Sequence, residues 1–304
     1  ENLEQALDGR SPDYLVISHM EPDHAYNIGL LCDRYPDMKL VGNAKTFPMV
    51  SKFFELDLEG RTLTVAEGES LCLGAHTLTF YMAPMVHWPE VMVSYESAEK
   101  LLFSADGFGK FGALDTEEDW ACEARRYYIN IVGKYGAQVQ ALLKKAAGLD
   151  IAKILPLHGP ILEGDLAPYL EKYGIWSSYR PEDKGTTLAY CSIHGNTAQA
   201  ALLLRELLEA AGERVECFDL ARCDMSEAVE AAFRYDKLVL ACPTYDAGLF
   251  PPMEDFLAHL KSKNFQSRTV ALIENGSWAP TAAKQMADKL AAMKDVTVLP
   301  DTVT

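Results

Sequence analysis

From Thr187 onward, short apolar runs alternate with longer runs whose apolar positions recur at helical spacing. Thr187–Tyr190, Val215–Asp219, Lys237–Ala241 and Thr269–Ile273 read as strands, and Thr197–Ala211, Ser226–Phe233, Met253–Lys261 and Thr281–Met293 as the helices between them. Parallel neighbours need a crossover, and a helix supplies it, so this alternation predicts a doubly wound parallel sheet. A last strand, Val296–Leu299, has only five residues after it and therefore no covering helix. Upstream the pattern is mixed: strands at Tyr14–Ser18, Thr77–Met82, Leu101–Ser104 and Ile154–Leu157, and helices at Glu117–Lys134 and Ala137–Ala147. The polar stretch 178–187, with Pro181 and Gly185, separates the two patterns and predicts domains at 1–180 and 181–304.

Composition agrees with a folded chain of two domains: 304 residues, 49% hydrophobic and 24% charged, more than one core usually encloses. With 28 Lys+Arg against 44 Asp+Glu the net charge is −16, which argues against nucleic acid as a partner. No apolar run approaches the roughly 20 residues of a membrane span, and the N-terminus lacks the order of a signal peptide. The seven cysteines include no C-x-x-C, which excludes a zinc ribbon or rubredoxin-type iron site and predicts reduced, mostly buried thiols in the cytoplasm.

The densest chemistry lies after the first predicted strand, in His19-Met20-Glu21-Pro22-Asp23-His24: four metal-competent side chains within six residues. In an extended segment His19 and Glu21 project to the same side and can grip one ion, while Asp23 and His24, just past Pro22, can reach a second. His87 (Met-Val-His-Trp-Pro), Asp106 (Ser-Ala-Asp-Gly) and His158 (Leu-His-Gly-Pro) stand at three further strand-to-loop transitions, where functional groups tend to be displayed. A lone histidine is usually structural; four histidines and three carboxylates in such settings are not a chance set. His76, on an expected surface strand, and His259, on an amphipathic helix, are taken as ordinary residues.

The second half carries its own constellation. Ser192-Ile193-His194-Gly195-Asn196-Thr197 links a strand directly to a helix, so its hydroxyls and successive N–H groups can cradle a phosphate at the positive end of that helix. The absence of G-x-x-x-x-G-K and G-x-G-x-x-G argues for a terminal monophosphate rather than a triphosphate or dinucleotide. Alone, such a turn is as often a helix cap. Two further loops at the carboxyl edge of the predicted sheet, Pro243-Thr244-Tyr245-Asp246-Ala247-Gly248 and Asn275-Gly276-Ser277-Trp278, add Tyr245 and Trp278 as flat surfaces for an aromatic ring.

The series His-x-Glu-x-Asp-His followed by His87, Asp106 and His158 resembles the diiron site of the flavodiiron proteins, the A-type flavoproteins. Independently, the three loops of the second half, above all Tyr245–Met253, resemble the flavodoxin-type FMN site of the same family. The resemblance implies a metallo-β-lactamase-like αββα sandwich, with its first strands missing here, followed by a flavodoxin-like doubly wound sheet. It implies His19, Glu21 and His87 on one iron, Asp23, His24 and His158 on the other, and Asp106 bridging them. Two ferrous ions, three carboxylates and a bridging hydroxide sum to zero, which makes a buried cluster tolerable. Zinc hydrolases of that fold usually carry histidine where this chain has Glu21, and an oxygen-richer set shifts preference toward iron.

The family further implies reduction of O2 to water, of NO to N2O, or both, with electrons relayed through FMN from a rubredoxin-like or ferredoxin-like donor. A head-to-tail homodimer would set the flavin of one subunit against the irons of the other, and Tyr26 and Trp88 would shape the gas pocket, or in the case of Trp88 simply pack. Two other readings stand beside this one: a dinuclear zinc hydrolase with a flavodoxin-like scaffold, and a flavin electron shuttle with an idle metal site. Because the chain opens on Glu1, 18 residues before His19, and ends without a final helix, the resemblance also implies truncation at both ends.

Overall fold

The structure, a computed structural model, describes residues 2–115 and 119–304. Contacts divide the chain into two compact units, Glu1–Thr116 with Gln138–Tyr169, and Glu117–Ala137 with Leu170–Thr304.

In the first unit, β1 (Tyr14–Val16), β2 (Lys39–Gly42) and β3 (Thr62–Thr64) form a parallel sheet, with Leu15 opposite Leu40 and Val41 opposite Leu63. The second sheet runs in chain order through β4 (Ser70–Cys72), β5 (Thr77–Met82), β6 (Met92–Glu96), β7 (Leu101–Phe103), β8 (Lys153–Leu155) and β9 (Leu162–Glu163). All its pairings are antiparallel except β7 with β8. Alternation along β5 turns Leu78 and Phe80 inward, where they pack with Val41, Val65 and Met92 from both sheets. A second cluster, built on Ile17, Met20, Ile28, Met38 and Leu40, sits beneath the first metal-competent motif.

One expectation changes here: the first strand stops at Val16 rather than Ser18. Past it a helical turn, Pro22–Ala25, carries Asp23 and His24. Pro22 occupies the first position of that turn, where its missing N–H costs nothing.

The second unit is a parallel sheet in the order β11 (Val215–Asp219), β10 (Asp183–Tyr190), β12 (Tyr235–Tyr245), β14 (Thr269–Asn275), β15 (Thr297–Val303), with β13 (Gly248–Leu249) folded back on β12. The intervening helices are Asn196–Ala210, Met225–Arg234, Pro251–Ser262 and Ala282–Leu290. Several strands outrun their apolar stretches. β10 begins at Asp183, inside the polar stretch, where Arg234 Nε donates to Asp183 Oδ2 at 2.8 Å. β15 runs to Val303 rather than stopping at Leu299.

The helix expected over Glu117–Lys134 starts on residues 117 and 118, outside those described; beyond them the chain is α-helical from Trp120 to Tyr127, π-helical from Tyr128 to Val132 and 3-10 from Gly133 to Tyr135. The changes of pitch free backbone groups that Tyr179 satisfies: its hydroxyl accepts the Gly136 N–H at 3.1 Å and lies 2.9 Å from the Gly133 carbonyl. The thiols divide differently from expectation: Cys32, Cys191 and Cys242 are buried, Cys217 and Cys223 half-buried, and Cys72 and Cys122 exposed. Among the described residues no helix is long and apolar enough to cross a membrane.

Candidate functional site

The turn after β1 and the loops after β5, β7 and β8 bring seven side chains together. His19, Glu21, His87 and Asp106 form one group and Asp23, His24 and His158 another, each with ligand atoms within 4.8 Å of one another. In the first group His87 Nε2 lies 3.0 Å from Glu21 Oε2 and 3.2 Å from Asp106 Oδ2, and His19 Nε2 lies 3.4 Å from both oxygens. In the second, His158 Nε2 lies 3.2 Å from Asp23 Oδ2, and His24 Nε2 lies 3.5 Å from the same atom. Asp106 belongs to both, because its other oxygen, Oδ1, stands 3.0 Å from His24 Nε2 and 3.7 Å from His158 Nε2.

These separations suit a cation at each centre: donors about 2.1 Å from one ion lie roughly 3.0–3.4 Å from each other. Asp106 is fully buried, yet among the described residues neither of its oxygens has a hydrogen-bond partner, nor has His24 Nε2. The His24–Asp106 separation is that of a hydrogen bond but its angles are not, as expected of lone pairs aimed at a shared third point. Burying such groups unsatisfied is costly, and two metal ions would satisfy them.

The electrostatics agree. Burial would raise the Asp106 pKa, but the close His24 and His87 rings and the nearby His19 hold it well below the usual carboxylate range. For His24 and His87 burial lowers the pKa, yet Asp106 and the other carboxylates outweigh it and raise both. The acidic cluster thus draws positive charge, and metal ions would supply it.

Around this centre the structure adds Glu90, which sequence reading missed. It is 1% exposed; His19 Nδ1 lies 2.8 Å from its Oε1, and the Met20 N–H donates to the same oxygen at 2.8 Å. Its only sequence signal is its place three residues after His87. Trp88 packs edge-on to His19 with ring centres 5.3 Å apart, whereas Tyr26 is 76% exposed. His76 stands just ahead of β5 with Nδ1 3.3 Å from Glu96, and His259 lies on the helix Pro251–Ser262; neither is in the cluster.

In the second unit, Ser192, His194, Asn196, Thr197, Pro243, Thr244, Asn275, Gly276 and Ser277 line one cleft of about 180 Å³, with Ile193. Gly195 caps the helix Asn196–Ala210 at φ +91°, and its N–H donates to Ser192 Oγ at 3.1 Å. Thr197 is 2% exposed, with Oγ1 3.5 Å from Asn275 Nδ2. The expected loop Pro243–Gly248 is instead largely strand and hairpin: β12 continues to Tyr245, and Asp246 and Ala247, at φ +46° and +57°, turn the chain into β13. Thr244 Oγ1 accepts the N–H groups of Thr281 and Ala282 at 2.9 and 3.2 Å, so this hydroxyl caps the last helix. Gly195, Tyr245, Asp246, Gly248 and Trp278 do not line the cleft; Tyr245 and Trp278 are 44% and 78% exposed.

Comparison with known proteins decides the family. The model of the "ODP family beta lactamase" matches residues 1–159, just over half the chain, and that of flavodoxin matches residues 188–301. The chain belongs to the first of these families and is a flavodiiron protein. This flavodiiron chain is 28% identical to a rubredoxin-oxygen oxidoreductase of Megalodesulfovibrio gigas over 96% of its own length and 75% of the relative's. It is likewise 28% identical to a nitric oxide reductase of Moorella thermoacetica, over 96% and 75%. An uncharacterised protein of Methanocaldococcus jannaschii is 26% identical, and there the chain covers 66% of the relative, so it spans about two thirds to three quarters of these proteins. The solved structure of rubredoxin oxygen:oxidoreductase from Desulfovibrio gigas superposes with a TM-score of 0.86 at 28% identity, covering 96% of this chain and 75% of that one. The flavodiiron protein of Giardia intestinalis, at 23% identity and a TM-score of 0.87 over 98% and 76%, shares the fold. The cofactors of the present chain are those of the family, FMN and non-haem iron.

Proposed function

We propose that this flavodiiron oxidoreductase reduces O2 to water, NO to N2O, or both, with His19, Glu21 and His87 on one iron, Asp23, His24 and His158 on the other, and Asp106 between them. The observation that carries this reading is the division of Asp106, one oxygen toward each donor set, in a chain whose other half is a flavodoxin. Bound there, the iron pair supplies a reducible centre for a small diatomic, and FMN supplies a store of electrons.

The chain's own residues shape that chemistry. Asp106, unprotonated at neutral pH, gives its charge to both sets at once. Met20 and Asp106 are fully buried and the Trp88 ring stands against His19, so the Asp106 charge acts across a poorly screened medium, while Glu21 and Asp23 stay partly exposed. In the second unit Ser192, Asn196, Thr197 and the first N–H groups of the helix would hold the FMN phosphate. The cleft is smaller than a usual cofactor pocket, which leaves the ring to the surfaces of Tyr245 and Trp278.

Exposed apolar groups lie close in sequence to the site residues: Tyr26 and Leu157 in the first unit, Ile193, Tyr245 and Trp278 in the second. They support a head-to-tail homodimer in which flavin and irons of opposite subunits meet. The donor is a rubredoxin-like protein, as the name of the Megalodesulfovibrio relative suggests, or a ferredoxin-like one, as the resemblance implies. Seven cysteines with no C-x-x-C pair support a cytoplasmic setting.

Metal and flavin analysis of the purified chain, followed by anaerobic turnover with O2 and NO side by side, tests the proposal. Two irons and one FMN per chain with gas consumption are expected; two zinc ions, no iron and no gas uptake would overturn it.

A further inference from the structure

Each histidine of the cluster can meet a metal through either ring nitrogen, and for His19 the structure shows what selects it. Glu90 Oε1 lies 2.8 Å from Nδ1, and the same oxygen accepts the Met20 N–H at 2.8 Å. An oxygen that accepts a backbone N–H at that distance while facing a ring nitrogen acts as acceptor in both contacts, so the shared proton sits on Nδ1. Nε2 then keeps its lone pair, and it is Nε2 that stands 3.3 Å from His87 Nε2 and 3.4 Å from Glu21 and Asp106.

Glu90 is well placed to impose this choice. Its carbonyl accepts Asn43 Nδ2 at 2.6 Å, and two residues on the Met92 N–H donates to the Ser18 carbonyl at 3.1 Å, so the segment is tied directly to the stretch that carries His19. The carboxylate is not explained by packing. It is 1% exposed, and its second oxygen, Oε2, is buried with no partner among the described residues, a cost that an apolar side chain of similar size would avoid.

We propose that Glu90 is a positioning residue of the metal centre: it holds the His19 ring in one orientation and in the Nδ1-protonated tautomer, so that Nε2 is always available to the first iron. The proposal rests on reading the cluster as a diiron centre. By accepting from Nδ1 the carboxylate also makes the imidazole a stronger donor.

The test uses the full chain, wild type beside Glu90→Ala and Glu90→Gln. In the metal-free protein, nitrogen NMR of labelled histidine, with His19 assigned from a His19→Gln variant, reads the tautomer without any metal. The wild type is expected to show Nδ1–H alone, and Glu90→Ala a mixture. In the iron-loaded protein, the rate at which a ferrous chelator strips iron is expected to rise 10–100-fold in Glu90→Ala. Glu90→Gln, whose amide oxygen can still accept both N–H groups, should restore most of the retention, and FMN content should not change in either variant. Wild-type His19 protonated on Nε2, or iron loss from Glu90→Ala at the wild-type rate, would overturn the proposal. If Glu90→Ala does not fold, the wild-type tautomer and the Gln variant decide. A wild type that carries zinc would sink the functional reading and leave the tautomer result standing.

Discussion

Asp106 and His24 stand 3.0 Å apart, oxygen to nitrogen, and neither atom is hydrogen-bonded among the described residues, although the Asp106 side chain has no exposure to solvent. A buried pair can persist in that arrangement only if something else satisfies both members. Removing Asp106 therefore removes a member of both donor sets, not of one. Asp106→Ala, and Asp106→Asn with the shape kept and the charge lost, should each bring iron below one per chain. Gas reduction should fall more than the 10–100-fold expected for loss of an outer partner. Iron analysis with O2 and NO electrodes checks this; two retained irons would place the shared position elsewhere.

Glu21 lies 3.0 Å from His87 Nε2 through a single carboxylate oxygen. Replacing it by histidine exchanges a hard anionic donor for a neutral nitrogen and raises the charge of the site by one unit. Glu21→His should shift metal preference from iron toward zinc and suppress gas reduction, because zinc has no redox change to offer. Competition between equimolar ferrous and zinc ions, read by elemental analysis, measures the shift, and an unchanged ratio would show that Glu21 does not set selectivity.

The metal motif was legible because its donors are local: four fall within six residues, and each of the other three follows a recognisable strand. Glu90 was not, since its role depends on contact with a residue 71 positions away that no spacing reveals. The parallel sheet was legible from alternating period, but its strand ends were not. Pro243 reads as a breaker, yet β12 carries it and pairs it with Asn275 on β14, so both fall on strand rather than loop. Asp183 likewise belongs to the sheet margin, tied there by an ion pair to Arg234 at the end of the helix Met225–Arg234 rather than by hydrophobicity.

Thr197 is buried at the start of the helix Asn196–Ala210, where Asn275 Nδ2 reaches its hydroxyl only at 3.5 Å. A hydroxyl so placed is poised for a charged phosphate oxygen, and a hydrogen bond to a charged group contributes about 1.5–3 kcal/mol. Thr197→Val, which keeps the shape, should weaken FMN binding about 10–100-fold and leave the iron content unchanged. Quenching of flavin fluorescence on titration reads the affinity; equal affinity would move the phosphate away from this turn.

In the second unit Glu182 joins three partners: Arg125 Nε donates to it at 2.7 Å, Trp176 Nε1 at 2.6 Å and Lys172 Nζ at 2.5 Å. Burial would raise its pKa, but these donors hold it at about 2. The folded value lies below the unfolded one, so the contribution is complete above about pH 4.5 and is lost as pH falls toward 2; at 1.36 kcal/mol per unit it is about 3 kcal/mol. Glu230, also paired with Arg125, has its pKa raised by burial, and its protonation offsets part of the loss. Glu182→Gln should therefore cost about 3 kcal/mol near pH 7, where it leaves Arg125 short of a charge partner, and should flatten the dependence of stability on pH between 4.5 and 2. Urea unfolding at a series of pH values, followed by tryptophan fluorescence to which Trp176 contributes, gives both quantities. If the variant keeps the acid-side slope of the parent, the pH dependence arises in another group.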